Sequence, residues 1–225
     1  MSRHQAEQSV LHGFKLASEL FSAGARLLGT GDMGIGNTTP SAALGVALTG
    51  VPVNQMVGRG TGIDEGSLEK KRAIVQQAID INRPNPGDGL DALAKVGGFE
   101  IGGIAGCILA GAWHRRPVVI DGFISTAGAL VAHSLCPAAV DYLFAGHCSQ
   151  EAGHRKMLEH LGLEITEVLF LTLAACLACR LLAIFLLCTP GNAPAPKQSN
   201  GQKAHISGVR PGNPASDYKG SVGRA

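Results

Sequence analysis

The stretch PVVIDG at residues 117–122 constrains the fold of this 225-residue chain more than any other feature. A continuous β-branched run between a basic turn and an Asp-Gly end is typical of a parallel strand that is covered on both faces. Two shorter apolar runs, at residues 25–28 and 141–145, also lead into glycine-containing loops. We therefore predict three short strands of one sheet.

Segments of helical periodicity separate these runs. The predicted helices span residues 11–23, 39–49, 67–79, 90–95, 100–112, 125–135 and 152–161. Strands that alternate with helices predict an α/β fold, a three-layer α/β/α arrangement around a parallel sheet. Small residues dominate the helix at 100–112, so we expect its backbone to pack close to a neighbour.

The C-terminal part has a different composition. Residues 168–188 are almost wholly apolar, whereas the chain after residue 189 is rich in Pro, Gly, Ser, Asn and Lys and has too few apolar side chains to fold. We predict an α/β domain over 1–164, an apolar helical segment over 165–189 and a disordered tail over 190–225. About 20 apolar residues can also cross a bilayer, so membrane contact through 168–188 is an alternative that we do not favour.

Charge and cysteine content exclude other classes of protein. The chain has 19 basic and 17 acidic residues, scattered along its length, and this balance excludes a nucleic-acid partner. Its six cysteines are irregularly spaced, and the first residues do not read as a signal peptide. We expect reduced thiols and a cytoplasmic protein.

The segment GTGDMGIGNTTP at residues 29–40 combines glycines with polar side chains just before a predicted helix. Exposed backbone N–H groups at a helix N-terminus, together with Asn37, Thr38 and Thr39, suit a phosphate or a sugar. The segment matches GxGxxG, but Pro40 delays the helix and no acidic residue stands where a dinucleotide's ribose needs one, so we reject a dinucleotide site. A glycine-rich turn before a capped helix explains the composition equally well.

Three loops follow the predicted strands, at residues 29–38, 121–125 and 146–151. Ligands of open α/β sheets bind outside the carboxyl ends of the strands, so these loops are expected to share one pocket. Lys71, after a second glycine loop at 57–64, could reach an anion there or belong to a solvated helix face. Asp121 could bind a ribose hydroxyl or cap the turn at Gly122.

Metal and redox chemistry find little support in the sequence. His147, His154 and His160 lie near Cys148, but their spacing matches no common zinc site, so we predict none. The CxxC motif at 176–179 lies inside the apolar run without a flanking strand or turn, which argues against a redox role. No cofactor is expected.

Five blocks of the sequence resemble one known family. They are GDMGIGNTTPSAAL at 31–44, VGRGTGID at 57–64 with KKRAIV at 70–75, GGFEIGGIAG at 97–106, PVVIDGFISTAGAL at 117–130 and DYLFAGHCSQEAGH at 141–154. In this order they are similar to nicotinate-nucleotide:dimethylbenzimidazole phosphoribosyltransferases and cover about residues 8–164.

The resemblance implies a three-layer α/β/α fold, usually a homodimer, and small-molecule substrates. The family transfers phosphoribose from nicotinate mononucleotide to 5,6-dimethylbenzimidazole, which gives nicotinate and α-ribazole phosphate for the lower ligand of cobalamin. The implied site residues are Asp32 near the reacting centre, where the family usually has Glu, and a substrate-binding set of Gly34, Asn37, Gly60, Lys71, Gly122 and Ser149.

Two departures from the family pattern leave a second interpretation. The family's general base is a glutamate in a Gly-Glu-Gly-x-Gly loop, and a gapless reading from the HLGLE segment at 160–164 places Ala175 at that position. The family's N-terminal portion has no counterpart before His4, so we expect a partial copy of the family domain. The alternative is a non-catalytic relative that binds the nucleotide or is tethered to a membrane.

Overall fold

The computed structural model describes residues 1–59 and 64–164 and the backbone of residues 184–186. The helices are α1 (Arg3–Ser22), α2 (Thr38–Thr49), α3 (Val53–Met56), α4 (Glu65–Asn82), α5 (Gly89–Val96), α6 (Phe99–Trp113), α7 (Phe123–Leu135) and α8 (Ala152–Leu161), with a 3₁₀ helix at Pro137–Tyr142. The strands are β1 (Leu28–Thr30), β2 (Val118–Ile120), β3 (Leu143–Ala145) and β4 (Ile184–Leu186).

The strands form one sheet in the order β3-β2-β1-β4. β1 and β3 both run parallel to β2, and Val118 pairs with Leu28 on one side and Leu143 on the other. Leu28 and Val118 are fully buried, as expected of strands with both faces covered. The predicted α/β fold with a parallel sheet is confirmed, whereas β4 adds an antiparallel neighbour to β1 that the sequence did not indicate.

The first and third predicted strands have other bounds in the structure. The first is Leu28–Thr30 rather than 25–28, because pairing with Val118–Ile120 draws Gly29 and Thr30 into the ladder. The third is Leu143–Ala145, and the residues before it form the 3₁₀ helix. β2 spans only three residues, so its neighbours pair over three residues as well.

Each of the seven predicted helices is present, and α8 has the predicted bounds. α1 begins at Arg3 instead of residue 11, because Ser2 and Gln5 form a capping box ahead of the apolar periodicity. α2 begins at Thr38 with Asn37 as the N-cap residue, so the expected start at Thr39 is wrong by one residue. The short helix α3 was not predicted.

Residues 184–186 form β4, where the apolar composition predicted a helical segment. A continuous apolar run suits a buried strand or a buried helix equally, so periodicity could not separate the two at this point. The rest of 165–189 and the tail over 190–225 lie outside the described residues. Among the helices that the structure describes, none is long and apolar enough to cross a membrane.

α1 and α6 pack with their backbones in close contact, as the small residues of α6 predicted. A Cβ atom at Gly13 would lie 1.9 Å from the carbonyl oxygen of Gly103, and one at Gly106 would lie 1.9 Å from that of Val10. The Cys107 thiol donates to the Gly13 carbonyl oxygen at 3.4 Å. This contact places one face of the helix pair beside the loop that follows β1.

Candidate functional site

The loops that follow β1, β2 and β3 meet at the carboxyl edge of the parallel sheet. A Cβ atom at Gly31 would lie 3.8 Å from Asp121 Oδ2, and one at Gly122 would lie 3.6 Å from the His147 ring. Gly34 lies against Ile124, whose Cδ1 would be 3.5 Å from a Cβ there. The three loops therefore lie side by side, as parallel strands in adjacent positions require.

In the first loop, the Asp32 carboxylate organises the approach to α2. Its Oδ1 accepts hydrogen bonds from the Gly34 N–H, at 3.2 Å, and from the Asn37 side-chain amide. Gly34 and Gly36 have φ angles of 78° and 81°, a left-handed conformation that favours glycine. Both donors bind one oxygen, so Asp32 Oδ2 takes part in neither bond.

Asn37 occupies the N-cap position of α2 without acting as a side-chain cap. It is buried, its amide nitrogen donates to Asp32, and its Oδ1 has no hydrogen-bond partner among the described residues. The first amides of the 12-residue helix α2 therefore have no side-chain cap from Asn37. Uncapped amides and the positive end of the helix dipole favour an anion at this position.

Lys71 brings a cation to the same helix end. Its ammonium donates to Thr38 Oγ1 at 3.1 Å and to the Gly58 carbonyl oxygen at 3.3 Å, and the residue is half-buried on α4. An ammonium carries three donors, and these bonds use two of them. A fixed positive charge beside the N-terminus of α2 strengthens the preference for an anion. Gly60, the other predicted residue of this glycine loop, lies outside the described residues.

The loops after β2 and β3 are joined by an ion pair and a hydrogen-bonded histidine. Asp121 Oδ1 lies 3.3 Å from His147 Nδ1, and this carboxylate raises the pKa of His147. The Ser149 N–H donates to His154 Nδ1 at 2.9 Å, and burial lowers the pKa of His154 to about 4. Asp121, one of the residues left open between two roles, thus pairs with a histidine of the next loop.

The histidines do not form a metal site in the described part of the chain, where no group of three or more His, Cys, Asp or Glu side chains could hold an ion. Both ring nitrogens of His154 are engaged in hydrogen bonds. Cys107, Cys136 and Cys148 are free thiols.

A cavity of about 550 Å³ opens beside Asp32, between α1 and α6. Its walls are mostly apolar, with polar groups at the edges, which is typical of small-molecule sites. It is lined by Gln5, Gln8, Ser9, His12, Gly13, Leu16, Gly31, Asp32, Phe99, Glu100, Gly103 and Ile104. Sequence reasoning missed this cavity because its helix prediction began at residue 11. The spacing of Gln5, Gln8 and His12 was the available signal, since these positions share one helix face.

Six of the seven predicted site residues lie on elements that meet at this edge. Asp32, Gly34 and Asn37 share the first loop, Lys71 reaches the start of α2, and Gly122 and Ser149 lie on the second and third loops. The arrangement combines an anion-binding corner with a carboxylate at the rim of an apolar cavity. Such a site suits a molecule with a phosphate at one end and an aromatic ring at the other.

A match to a protein-family model identifies the class of protein to which the chain belongs. The phosphoribosyltransferase family model matches residues 1–185, which places the chain among the phosphoribosyltransferases. Nicotinate-nucleotide–dimethylbenzimidazole phosphoribosyltransferases from Desulforudis audaxviator and Chloroflexus aggregans are each 54% identical to it over 164 residues. Those alignments cover 73% of this chain and 46% of each relative.

A solved structure gives the same result. CobT from Thermus thermophilus matches with 48% sequence identity and a TM-score of 0.70, over 73% of this chain and 49% of that one. The chain belongs to the nicotinate-nucleotide:dimethylbenzimidazole phosphoribosyltransferase family, so the resemblance in the five sequence blocks is confirmed. It spans about half the length of the curated relatives that it matches.

Proposed function

We propose that this chain binds nicotinate mononucleotide and transfers its phosphoribosyl group to 5,6-dimethylbenzimidazole, which releases nicotinate and gives α-ribazole phosphate. The observation that carries the proposal is the convergence of Asp32, Lys71, Gly122 and Ser149 at one edge of the sheet. Family membership supports the choice of substrates. We expect the reaction in the cytoplasm.

The corner between α2 and α4 is suited to the phosphate of the nucleotide. The first amides of α2 and the remaining donor of the Lys71 ammonium provide hydrogen bonds and positive charge to a dianion. Gly122, which has no side chain, lets the ribose approach the backbone at the end of β2. Fixed contacts at the phosphate orient the ribose for reaction at its anomeric carbon.

Asp32 and the adjacent cavity are suited to the reacting centre. As the bond from the anomeric carbon to the nicotinate nitrogen breaks, its electron pair leaves with nicotinate and positive charge develops on the ribose. The Asp32 carboxylate would stabilise that charge, and its hydrogen bonds with Gly34 and Asn37 hold it in place. The apolar cavity would receive the flat benzimidazole, whose unprotonated ring nitrogen forms the new bond while the other ring nitrogen gives up its proton to a base.

The proton acceptor decides between this function and a second one. A gapless reading places Ala175 where the family has its general base, and loss of a positioned base typically slows a reaction by about 10²- to 10⁴-fold. This observation favours a second candidate, in which the chain binds nicotinate mononucleotide without transferring its ribose. Calorimetry with the nucleotide alone measures binding independently of transfer.

The decisive assay incubates the purified chain with nicotinate mononucleotide and dimethylbenzimidazole and measures α-ribazole phosphate by chromatography. Product that forms in wild type and falls by about 10²- to 10³-fold in D32N, at unchanged nucleotide affinity, supports the transferase and the role of Asp32. Binding without product supports the second candidate. A chain that neither binds nor reacts contradicts both.

Because members of the family are usually homodimers, we also propose that this chain forms a homodimer. Sedimentation equilibrium of the purified chain tests it. A monomer at concentrations well above those of the assay would contradict the proposed dimer and leave the proposed chemistry to be judged by the assay.

A further inference from the structure

The geometry points to His154 as the positioning residue of this site, a buried neutral imidazole that fixes the loop of Ser149 relative to the end of β2. His154 lies in the first turn of α8 and is fully buried. It contacts the loop after β3 through Ser149 and helix α7 through Thr126. The inference rests on the proposed function for the identity of its ligand.

Each ring nitrogen of His154 has a defined partner. Nδ1 lies 2.9 Å from the Ser149 backbone nitrogen and 3.0 Å from the Ser149 hydroxyl oxygen. Nε2 lies 2.9 Å from the Thr126 hydroxyl oxygen, which in turn lies 2.9 Å from the Gly122 carbonyl oxygen. One side chain therefore connects Ser149 to Gly122 through Thr126.

These partners determine where the protons lie. A backbone N–H can only donate, so Nδ1 must accept, and a neutral imidazole then carries its proton on Nε2. Thr126 accepts that N–H and donates its own hydrogen to the Gly122 carbonyl oxygen. Every donor in the chain from Ser149 to Gly122 thus has an acceptor, and only one tautomer satisfies all of them.

The charge state agrees with this arrangement. Burial lowers the pKa of His154 to about 4, and the positive charge of His147, with ring centroids 6.1 Å apart, adds to the effect. A protonated ring would present N–H groups to the Ser149 amide and hydroxyl and leave that amide without an acceptor. His147, which faces Asp121, is protonated readily, whereas the buried His154 stays neutral and holds its two partners in place.

His154 also selects the group that Ser149 offers to a ligand. The amide hydrogen of Ser149 is directed at Nδ1, which has a single lone pair in the ring plane. The Ser149 hydroxyl can then rotate its hydrogen toward a bound phosphate or ribose. We therefore expect the hydroxyl, and not the amide, to be the ligand contact at this position.

Two substitutions test the roles of the two ring nitrogens of His154 separately. In H154N the side-chain amide lies near the position of Nδ1 and can still accept from Ser149, whereas in H154Q it lies near that of Nε2 and leaves Ser149 without an acceptor. We expect H154Q to weaken nicotinate mononucleotide binding about tenfold and H154N to weaken it less. In an S149A background, H154Q should add less than about twofold, because its effect acts through the missing hydroxyl.

Nitrogen NMR of the wild-type imidazole and calorimetric titration of the variants together test the inference. A proton on Nε2 at neutral pH, with the affinities in the expected order, supports it. A proton on Nδ1, or equal losses for H154Q with and without Ser149, would overturn it. If wild type does not bind the nucleotide, the proposed function fails, while the imidazole spectrum still supports or overturns the hydrogen-bond chain stated here.

Discussion

The contact between α1 and α6 and the polar edge of the sheet both depend on glycine, for opposite reasons. At the helix contact, Gly13 and Gly106 leave no room for a side chain, because a Cβ atom would collide with a facing carbonyl oxygen. In the loop after β1, Gly36 has open space around it and a positive φ angle. The first use of glycine concerns distance, and the second concerns backbone conformation.

This difference shows that the 31 glycines of the chain do not all have the same structural role. Helix glycines let two backbones approach and support the core, whereas loop glycines shape a surface on which polar groups converge. Substitutions at the helix contact should therefore act through packing, whereas those at the polar edge should act through backbone conformation, charge or ligand binding.

The largest expected effect is overpacking of the helix contact. G106A should lower the free energy of unfolding by about 3 kcal/mol, since the added methyl group meets the backbone of α1, which cannot move aside locally. Urea denaturation measures the loss. G103A is the matched control on the same helix, where a Cβ meets no atom within 4 Å, and it should raise stability by about 0.5–1 kcal/mol. A tolerated G106A would contradict the close contact.

The next effect is a loss of stability at acid pH that comes from the polar edge. The pKa of His154 is about 4 in the folded chain and near 6.5 when unfolded, so the unfolded chain binds more protons between these values. The stabilisation that His154 contributes is complete above pH 6.5 and falls by about 3 kcal/mol as the pH drops to 4. His147, whose pKa is raised, has the opposite sign: its stabilisation is present below pH 6.5 and is lost as the pH rises through the folded value.

Denaturation at several pH values, in wild type and H154Q, isolates the contribution of His154. The variant should show a flatter profile between pH 6.5 and 4, and equal slopes would contradict the buried neutral ring. The helix contact does not add to this signal through Cys107, because burial raises the pKa of that thiol to about 11.

Removal of the cation comes third, and its effect is measured on nucleotide binding. K71A should weaken nicotinate mononucleotide binding by about 10- to 100-fold, since a charge-assisted hydrogen bond to the phosphate is lost. K70A, the exposed neighbour on α4, is the control and should bind like wild type. Calorimetric titration measures both, and equal affinities for the two variants would remove Lys71 from the site.

The smallest effect tests backbone conformation in the loop. G36A should cost about 1–2 kcal/mol of stability, because a Cβ atom strains the left-handed conformation even where space is open. G36N should cost less, since Asn visits this region more readily. Urea denaturation distinguishes them, and equal losses would point to a cause other than the φ angle.

Much of the fold was predictable from local pattern, and the exceptions have physical causes. The run before Asp121 identified β2 because short β-branched runs that end at Asp-Gly are typical of buried strands. The start of α1 at Arg3 was missed because a capping box, not apolar periodicity, begins that helix. β4 was missed because a uniformly apolar run carries no period.

The location of the site was predictable from the sequence, whereas the hydrogen bonds within it were not. Loops after parallel strands had to meet, and Lys71 was recognised as a possible anion ligand. No local signal showed that Asn37 would bind Asp32 instead of capping α2, or that His154 would join the loop after β3 to helix α7. The cavity between α1 and α6 depends on two helices far apart in sequence.

The sequence alone determined three of the strands and seven of the helices, and through five ordered blocks it determined the family, because these depend on neighbouring residues and on residue identity. The tertiary structure decided the partners of each polar group. Hydrogen bonds between residues that are distant in sequence form only where the two atoms approach to within a few tenths of an ångström of the ideal separation. Only the packed chain sets those separations.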